Sequence, residues 1–541
     1  MRSIHRSLCL VALLASSIAW SSGAIGQDSD EMRDLQEKSV KSQEPVYGHW
    51  GTNPAKFTTW GQHSNRLVPA YVFGHTLDSW REKGSVYADK ERLNALTGGH
   101  EDSFNPQARY FDQTDIYQLQ REAHDAGYSN IILMVFDGMD WDTTRAAAIY
   151  KTGRVKYDSG RGTGLAFQDD RRVKTDYATV VTSAAATGAK TDVNSQTVLS
   201  VNSGHHSGYN VMLAGRSPWR ERVNSDYLLG LDRSIKHVVT DSASSATSLC
   251  SGIKTYNGAI NVDVDGKQVL PFARELQRDQ EFMVGIVTSV PVSHATPAAA
   301  YANNVSRKDY QDISRDLVGL PSSAHREKPL PGVDVLIGGG WGESKGEDKV
   351  QGVNFAKGNP YFHQDDLRAS DVKNGGRYRV VQRTKGKSGR ELLLDAAQKS
   401  VDNFEPLIGF FGTKGGHLPF TTADGNYNPA PGPKADRYTE ADVFENPTLA
   451  DMTEAALLVL EQSIDGFWLM VEAGDVDWAN HANNLDDSIG ATLSGEAAFK
   501  KVMDWVDENA AWDHTLVIVT ADHGHYLVLD APETIAKAGQ K

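Results

Sequence analysis

The sequence predicts an α/β fold: a three-layer α/β/α sandwich with a largely parallel central sheet and insertions. Three observations predict it. Short apolar runs rich in β-branched residues recur from residue 129 onward. They are apolar on both faces, as strands covered by helices on two sides must be. Helical patterns alternate with them, which implies parallel strands joined by crossovers.

The predicted strands cover 130–136, 282–290, 333–337, 407–411, 467–471 and 515–520. A helix is expected after Asn446-Pro447, where a cap residue precedes a proline suited to the first turn. A second is expected over 497–508. Residues 27–48 read as a polar, mobile lead-in, and 27–128 as an N-terminal extension without clear periodicity. Residues 129–541 form the main folded unit, with a Gly/Ser/Asn-rich insertion at about 150–235. Residues 341–390 are polar and read as surface excursions. The glycines of 159–164 (SGRGTG) lack a preceding strand and a following helix, so they do not make a phosphate loop.

Composition excludes several classes. The chain has 541 residues, 40% hydrophobic and 23% charged, the profile of a globular protein. Its net charge of −15 and the lack of a Lys/Arg-rich run argue against nucleic-acid binding. No stretch is apolar for 18 residues, so no membrane span is expected. Arg2 and Arg6, the apolar run 8–19 and the small residues Ala24-Ile25-Gly26 make 1–26 an export signal. The expected location is therefore periplasmic or extracellular. Cleavage there removes two positive charges and takes the net charge from −15 to −17. Only Cys250 of the two cysteines remains after it, which excludes an intramolecular disulfide.

Four clusters that could carry chemistry each follow a predicted strand, the edge where sites lie in such sheets. Asp137-Gly138-Met139-Asp140 follows the first; a carboxylate there can turn toward a cation or simply make a turn. Val239 to Thr247 (VTDSASSAT) pairs a short strand, 237–240, with a small-residue helix. Ser242 would sit at that helix's N-terminus, where free N–H groups favour an anion; Asp and Ser are also ordinary cap residues. Glu472, Asp475, Asp477 and His481 follow the strand ending at 471, and Asp477 and His481 share one helical face. Asp522, His523 and His525 follow the strand ending at 520. His and carboxylate in two clusters suit zinc, and two metals can clamp both oxygens of a transferring phosphoryl group.

On these residues the sequence resembles the alkaline phosphatase family. Positions 239–247 fit its V-x-D-S signature, followed by Lys254-Thr255-Tyr256-Asn257-Gly258. DGM at Asp137, EAGDVDWANH at 472–481 and TADHGH at 520–525 match in order. The resemblance implies a phosphate-monoester hydrolase with Ser242 as a nucleophile that becomes phosphoserine. It implies that Asp137, Asp522 and His523 hold one zinc, and Asp477 and His481 another. Asp137, Thr296 and Glu472 would hold a third metal, usually magnesium, and Arg307 would grip two phosphate oxygens. The partners implied are small phosphate esters and a second copy of the chain, since members are often dimers.

Three departures matter. His294 and Trp478 stand where enterobacterial members carry Asp and Lys, which leaves zinc or cobalt open at the third site. The family also places a zinc-binding His near its C-terminus, in a His-Thr-Gly context, and this chain has none after His525. The expectation is a C-terminally truncated form whose second zinc is short one protein ligand. His525 or His417 is the alternative ligand, with His525 and His294 kept as further site candidates. The rival functions are a related phosphodiesterase and a catalytically impaired phosphate or zinc binder.

Overall fold

The computed structural model describes residues 30–64, 66–98, 103–202, 239–430 and 437–540. The export segment and residues 237–238 of the expected short strand lie outside them. The strands, in chain order, are β1 (His49–Trp50), β2 (His63–Ser64), β3 (Val68–Phe73), β4 (Phe111–Asp112), β5 (Asn130–Phe136), β6 (Thr175–Val181), β7 (Ala189–Asp192), β8 (Thr197–Val201), β9 (Met283–Pro291), β10 (Val335–Gly339), β11 (Arg379–Gln382), β12 (Leu407–Phe410), β13 (Phe467–Ala473), β14 (Thr515–Thr520), β15 (Gly524–His525) and β16 (Leu527–Val528).

Ten of these form one sheet in the order β11-β12-β10-β9-β13-β5-β14-β3-β6-β4. Seven strands from β11 to β14 run parallel. β3 runs antiparallel to both β14 and β6, while β4 is parallel to β6. Of the ten, β3 alone therefore runs against the rest.

Helices cover both faces, as β13 demonstrates. Successive residues on a strand point to opposite faces. Phe467 packs its ring 5.3 Å from Trp505 on the helix Leu485–Glu508. The next residue, Trp468, donates its indole N–H at 2.9 Å to Gln120 on the helix Gln113–Asp125. The two helices thus flank the sheet from opposite sides, giving the three layers. Every residue of β5, β13 and β14 is buried, which is why these strands read as continuous apolar runs.

The expected strands are present with shifted ends: β9 begins at Met283 and β10 covers Val335–Gly339. The expected helix after Asn446-Pro447 is capped instead by Thr448, which accepts from the Asp451 N–H. The helix expected over 497–508 begins at Leu485. Gly490 and Gly495 obscured its first half in sequence, since glycine disfavours helix. Both are there for packing. A Cβ at 490 would lie 1.9 Å from the Thr421 carbonyl oxygen, and one at 495 would lie 2.3 Å from the Phe136 ring.

The N-terminal region differs most from its sequence reading. The lead-in contains the helix Glu31–Ser42, capped by Asp30. Its Gln36 bonds the Asn483 carbonyl and the Leu485 N–H, so it is docked on the core. β3 and β4 from the extension, β6 from the supposed insertion and β11 from the supposed surface excursion all belong to the main sheet. Thr240 and Val239 form no strand. Among the described residues, no helix is long and apolar enough to cross a membrane.

Arg66, between β2 and β3, anchors the extension to the sheet edge. It is 7% exposed, lies 2.5 Å from Asp142 and donates to the Leu527 carbonyl. Removing one partner of such a buried pair leaves the other charge uncompensated. Arg66→Met is therefore expected to cost roughly 3–5 kcal/mol of stability, read from urea unfolding; a loss below 1 kcal/mol would contradict this anchoring role.

Candidate active site

The parallel strands deliver their following residues to one edge. Asp137 comes directly after β5, Glu472 is near the end of β13, and Asp522 and His523 come just after β14. The helix Asp475–His481 carries Asp477 and His481. Thr296 lies on the helix Ala295–Ala299 after β9. An antiparallel strand reverses this rule: the residues before it reach the edge that the others reach at their ends. β3 pairs Ala70 with Thr520, so the segment entering β3 arrives beside the residues leaving β14. There β2 pairs with β15, with Ser64 opposite Gly524 and His63 opposite His525.

The result is a group of four: His63, Asp477, His481 and His525, whose donor atoms all lie within 4.8 Å of one another. His525 Nε2 is 2.7 Å from Asp477 Oδ1, His481 Nε2 is 3.4 Å and His63 Nε2 is 3.7 Å. His63 Nδ1 lies 3.1 Å from the Thr240 carbonyl, and His481 Nδ1 lies 2.8 Å from the Gly61 carbonyl. Carbonyls only accept, so each Nδ1 carries the proton and donates it. Each Nε2 then presents a lone pair inward, and the two stand 3.1 Å apart. Two lone pairs facing at that distance require a cation or a proton between them. Fixing the tautomer through the outer nitrogen is how metal-ligating histidines are oriented.

A second group adjoins the first: Asp137, Asp522 and His523. His523 Nε2 is 3.2 Å from Asp137 Oδ1, 3.5 Å from Asp522 Oδ2 and 3.9 Å from Asp477 Oδ1. Asp522 Oδ1 accepts from the N–H groups of Gly138 and His523. Its Oδ2 is buried without a hydrogen-bond donor, as is Asp137 Oδ1, and His523 Nε2 is the ring nitrogen near both. Buried carboxylate oxygens without donors are costly, and a cation between them removes the cost. Gly138 has φ +72°, and a Cβ on it would lie 2.9 Å from the His525 ring, so no other residue fits between the groups.

Ser242 begins the helix Ser242–Ser251 beside the second group. Its Oγ is 3.2 Å from His523 Nε2. Asp241 caps the helix by accepting from the Ser244 N–H at 3.0 Å and also receives Arg307 Nη1 at 3.0 Å. A third cluster lies behind: Glu472 accepts from Thr288, and Thr296 Oγ1 is 3.5 Å from Asp137 Oδ2. A cavity of about 390 Å³ opens over these residues, lined among others by Thr296, Arg307, His294, Trp478 and Phe420.

The electrostatics are those of carboxylates packed without counter-charge. Burial, then Asp477 and Glu472, push Asp137 well above its ordinary value. Burial and Asp137 do the same to Asp522. Burial raises Glu472 to about 8. Burial also opposes ionisation of Asp477, but His481, His525 and His523 outweigh it and hold that carboxyl well below the usual range. Burial, then His523, lowers His63 well below its ordinary value, and burial brings His525 to about 4 despite Asp477. Imidazole nitrogens and a carboxylate are the donor set that zinc takes.

A model of the family described as "Alkaline phosphatase" matches residues 227–540, more than half of the chain. This protein belongs to the alkaline phosphatase family. It is 33% identical over 328 residues to alkaline phosphatase H of Pseudomonas aeruginosa, covering 57% of this chain and 62% of that one. It is 31% identical over 286 residues to alkaline phosphatase 4 of Bacillus subtilis, covering 53% and 49%. The chain thus spans about half to three fifths of these curated relatives. Among solved structures, the alkaline phosphatase of a psychrophilic Shewanella shares 21% identity at a TM-score of 0.43, over 73% of this chain and 68% of that one.

The structure brings together Ser242, Arg307, Asp137, Thr296, Glu472, Asp477, His481, Asp522 and His523. His525 joins the first group. His294 lies outside both groups, stacked on Tyr310 with ring centroids 5.4 Å apart. Burial, then Arg307, lowers it to about 3. His417 also lies elsewhere, bonded to the Leu418 carbonyl and packed on Phe420. Beside Asp477 and His481, where the sequence reading left one ligand short, the structure places His63. Sequence reading missed it because 49–128 has no periodicity to place Gly61-Gln62-His63. A histidine just before the apolar run 67–73 was the available signal. Thr288 was missed as one hydroxyl inside an apolar strand.

Because burial raises Asp137, its ionised form destabilises the metal-free fold. Stability contributed by its proton is present below the ordinary carboxyl range and lost as pH rises through the raised value. Asp137→Asn is therefore expected to raise the thermal midpoint of metal-free protein at pH 8 and to shrink the gain that zinc gives the unsubstituted chain. A lower midpoint without metal would show that the carboxylate is not strained.

Proposed function

We propose that the protein hydrolyses phosphate monoesters through a phosphoserine on Ser242, releasing an alcohol and inorganic phosphate. The observation that carries the reading is Ser242 Oγ, 3.2 Å from His523 Nε2, at a helix N-terminus between two metal-competent groups. Asp137, Asp522 and His523 would hold one zinc; His63, Asp477 and His481 would hold the other. His525 would donate to Asp477 and orient it. The oxygen donors Asp137, Thr296 and Glu472 suit magnesium. When bound, the zinc ions supply Lewis acidity that favours the Ser242 alkoxide and the departing oxygen.

The chain's own groups account for the remainder. The first-turn N–H groups behind Ser242 face the phosphate and favour its charge. Asp241 holds Arg307 by one nitrogen, leaving the rest of the fork for two phosphate oxygens. A monoester dianion offers those oxygens, and a diester offers fewer, which favours monoesters over the phosphodiesterase alternative. Ser242 Oγ bonds to phosphorus as the ester oxygen leaves as the alcohol; water then cleaves the Ser242–phosphate bond. Small phosphate esters are the proposed substrates, with a homodimer as the proposed assembly. Residues 1–26 support export to the periplasm or medium, which N-terminal sequencing of the mature protein would test.

The decisive measurement is turnover of an aryl phosphate by the zinc-loaded chain at alkaline pH. Ser242→Ala is expected to abolish both turnover and labelling by substrate phosphate while zinc content stays normal. Faster turnover of a bis-aryl phosphate, or labelling of the Ser242→Ala protein, would overturn the reading. His63→Ala is expected to lower bound zinc by about one ion per chain, measured by elemental analysis. Unchanged zinc content would remove His63 from the metal site.

A further inference from the structure

Gln113 takes no part in the chemistry described above and is completely buried, at 0% exposure. It is the first residue of the helix Gln113–Asp125, directly after β4, in the N-terminal region. Its side chain links four parts of the protein. Nε2 donates one hydrogen to Ser245 Oγ at 2.7 Å and the other to the Asp522 carbonyl at 2.6 Å. Oε1 accepts from Lys254 Nζ at 2.9 Å and from the Ser183 N–H at 3.3 Å. The amide orientation follows from its neighbours. An ammonium can only donate and a carbonyl can only accept, so Oε1 must face Lys254 and Nε2 must face Asp522.

Both ends of this bridge matter to the site. Ser245 lies one turn beyond Ser242 on the same helix. The Asp522 carbonyl belongs to the peptide that leads into His523, whose Nε2 faces Ser242 Oγ. One planar amide therefore spans the nucleophile helix and the loop carrying two of the metal-competent side chains. Its own position is fixed from behind. Lys254 Nζ is 3.0 Å from Asp112 Oδ1, and Asp112 Oδ2 accepts from Tyr87 at 2.7 Å. Asp112 also caps the helix that Gln113 begins. Every member of this network is buried, and all four hydrogen-bonding positions of the Gln113 amide are filled, so it resists displacement.

We infer that Gln113 is a positioning residue, whose amide N–H groups set the placement of Ser242 relative to Asp522 and His523. The inference rests on the proposed phosphatase reading and names a residue on which that site depends. Shell residues that orient metal ligands typically contribute 10- to 100-fold to affinity or activity. A merely structural role would act through Lys254, which needs an acceptor; a positioning role acts through Nε2, which must donate. Gln113→Glu separates the two, because it keeps the acceptor and loses both donors.

The experiment compares the zinc-loaded full chain with Gln113→Glu and Ser245→Ala, measuring thermal midpoint, kcat and KM on an aryl phosphate, and zinc affinity by chelator competition. Gln113→Glu is expected to lower the thermal midpoint, since it sets an oxygen against the Asp522 carbonyl, and, in the protein that stays folded, to lower kcat and zinc affinity each about 10- to 100-fold while KM changes little. Ser245→Ala removes one of the two bonds and is expected to show a smaller loss of the same kind. Parental kcat and zinc affinity in Gln113→Glu would overturn the inference. If that variant does not fold, parental values in Ser245→Ala overturn it instead. A parent chain that binds zinc and turns over while both variants match it defeats this inference alone. A parent chain without zinc binding or turnover defeats the functional reading on which it rests.

Discussion

Two backbone pairs, Ser64 with Gly524 and His63 with His525, hold the site together. They exist because β3 adds to β14 in the antiparallel sense, so the chain entering β3 meets the chain leaving β14. Without that pairing, Asp477 and His481 face a space with no third donor from the extension. With it, His63 and His481 present their lone pairs to one another across 3.1 Å. The arrangement is stable only with positive charge between them, and the neighbouring Asp137 and Asp522 oxygens impose the same requirement. A fold that assembles such groups without counter-charge is built for cations. Its stability is then inseparable from what it binds.

The same logic explains the weight carried by the N-terminal region. It provides His63, the Arg66 anchor, one antiparallel strand of the main sheet and the Gln113 bridge to the helix Ser242–Ser251. These features lie outside the stretch 227–540 that matches the family model, as does Asp137. The candidate active site is thus assembled from sequence-distant pieces on one sheet edge. Rigidity comes from the parallel strands, whose fully buried residues fix the direction in which each site side chain leaves. A lowered His63, a low-lying Asp477 and raised Asp137 and Asp522 follow from burial and proximity in that confined edge.

Much of the fold was legible because its signals are local. Fully buried parallel strands read as β-branched apolar runs, and 130–136 and 515–520 coincide with β5 and β14. The clusters at Asp137, 472–481 and 520–525 were legible for a related reason: a parallel sheet presents residues directly after its strands at one edge. Illegible parts depended on distant packing. The helix Leu485–Glu508 contains glycines demanded by Thr421 and Phe136, from outside the helix. The docking of Glu31–Ser42 depends on Gln36 meeting Asn483.

The sequence by itself determined the family resemblance, the parallel core, Ser242 at a helix start and three of the acidic or histidine-bearing clusters around it. Those properties reside in short contiguous runs, where spacing along the chain dictates spacing in space. Tertiary structure alone decided that His63 meets His481, that His417 does not, and that Gln113 joins Ser245 to the Asp522 peptide. Each of those contacts depends on strand direction and register between segments far apart in the chain, and a one-residue slip of β2 against β15 would turn His63 to the other face.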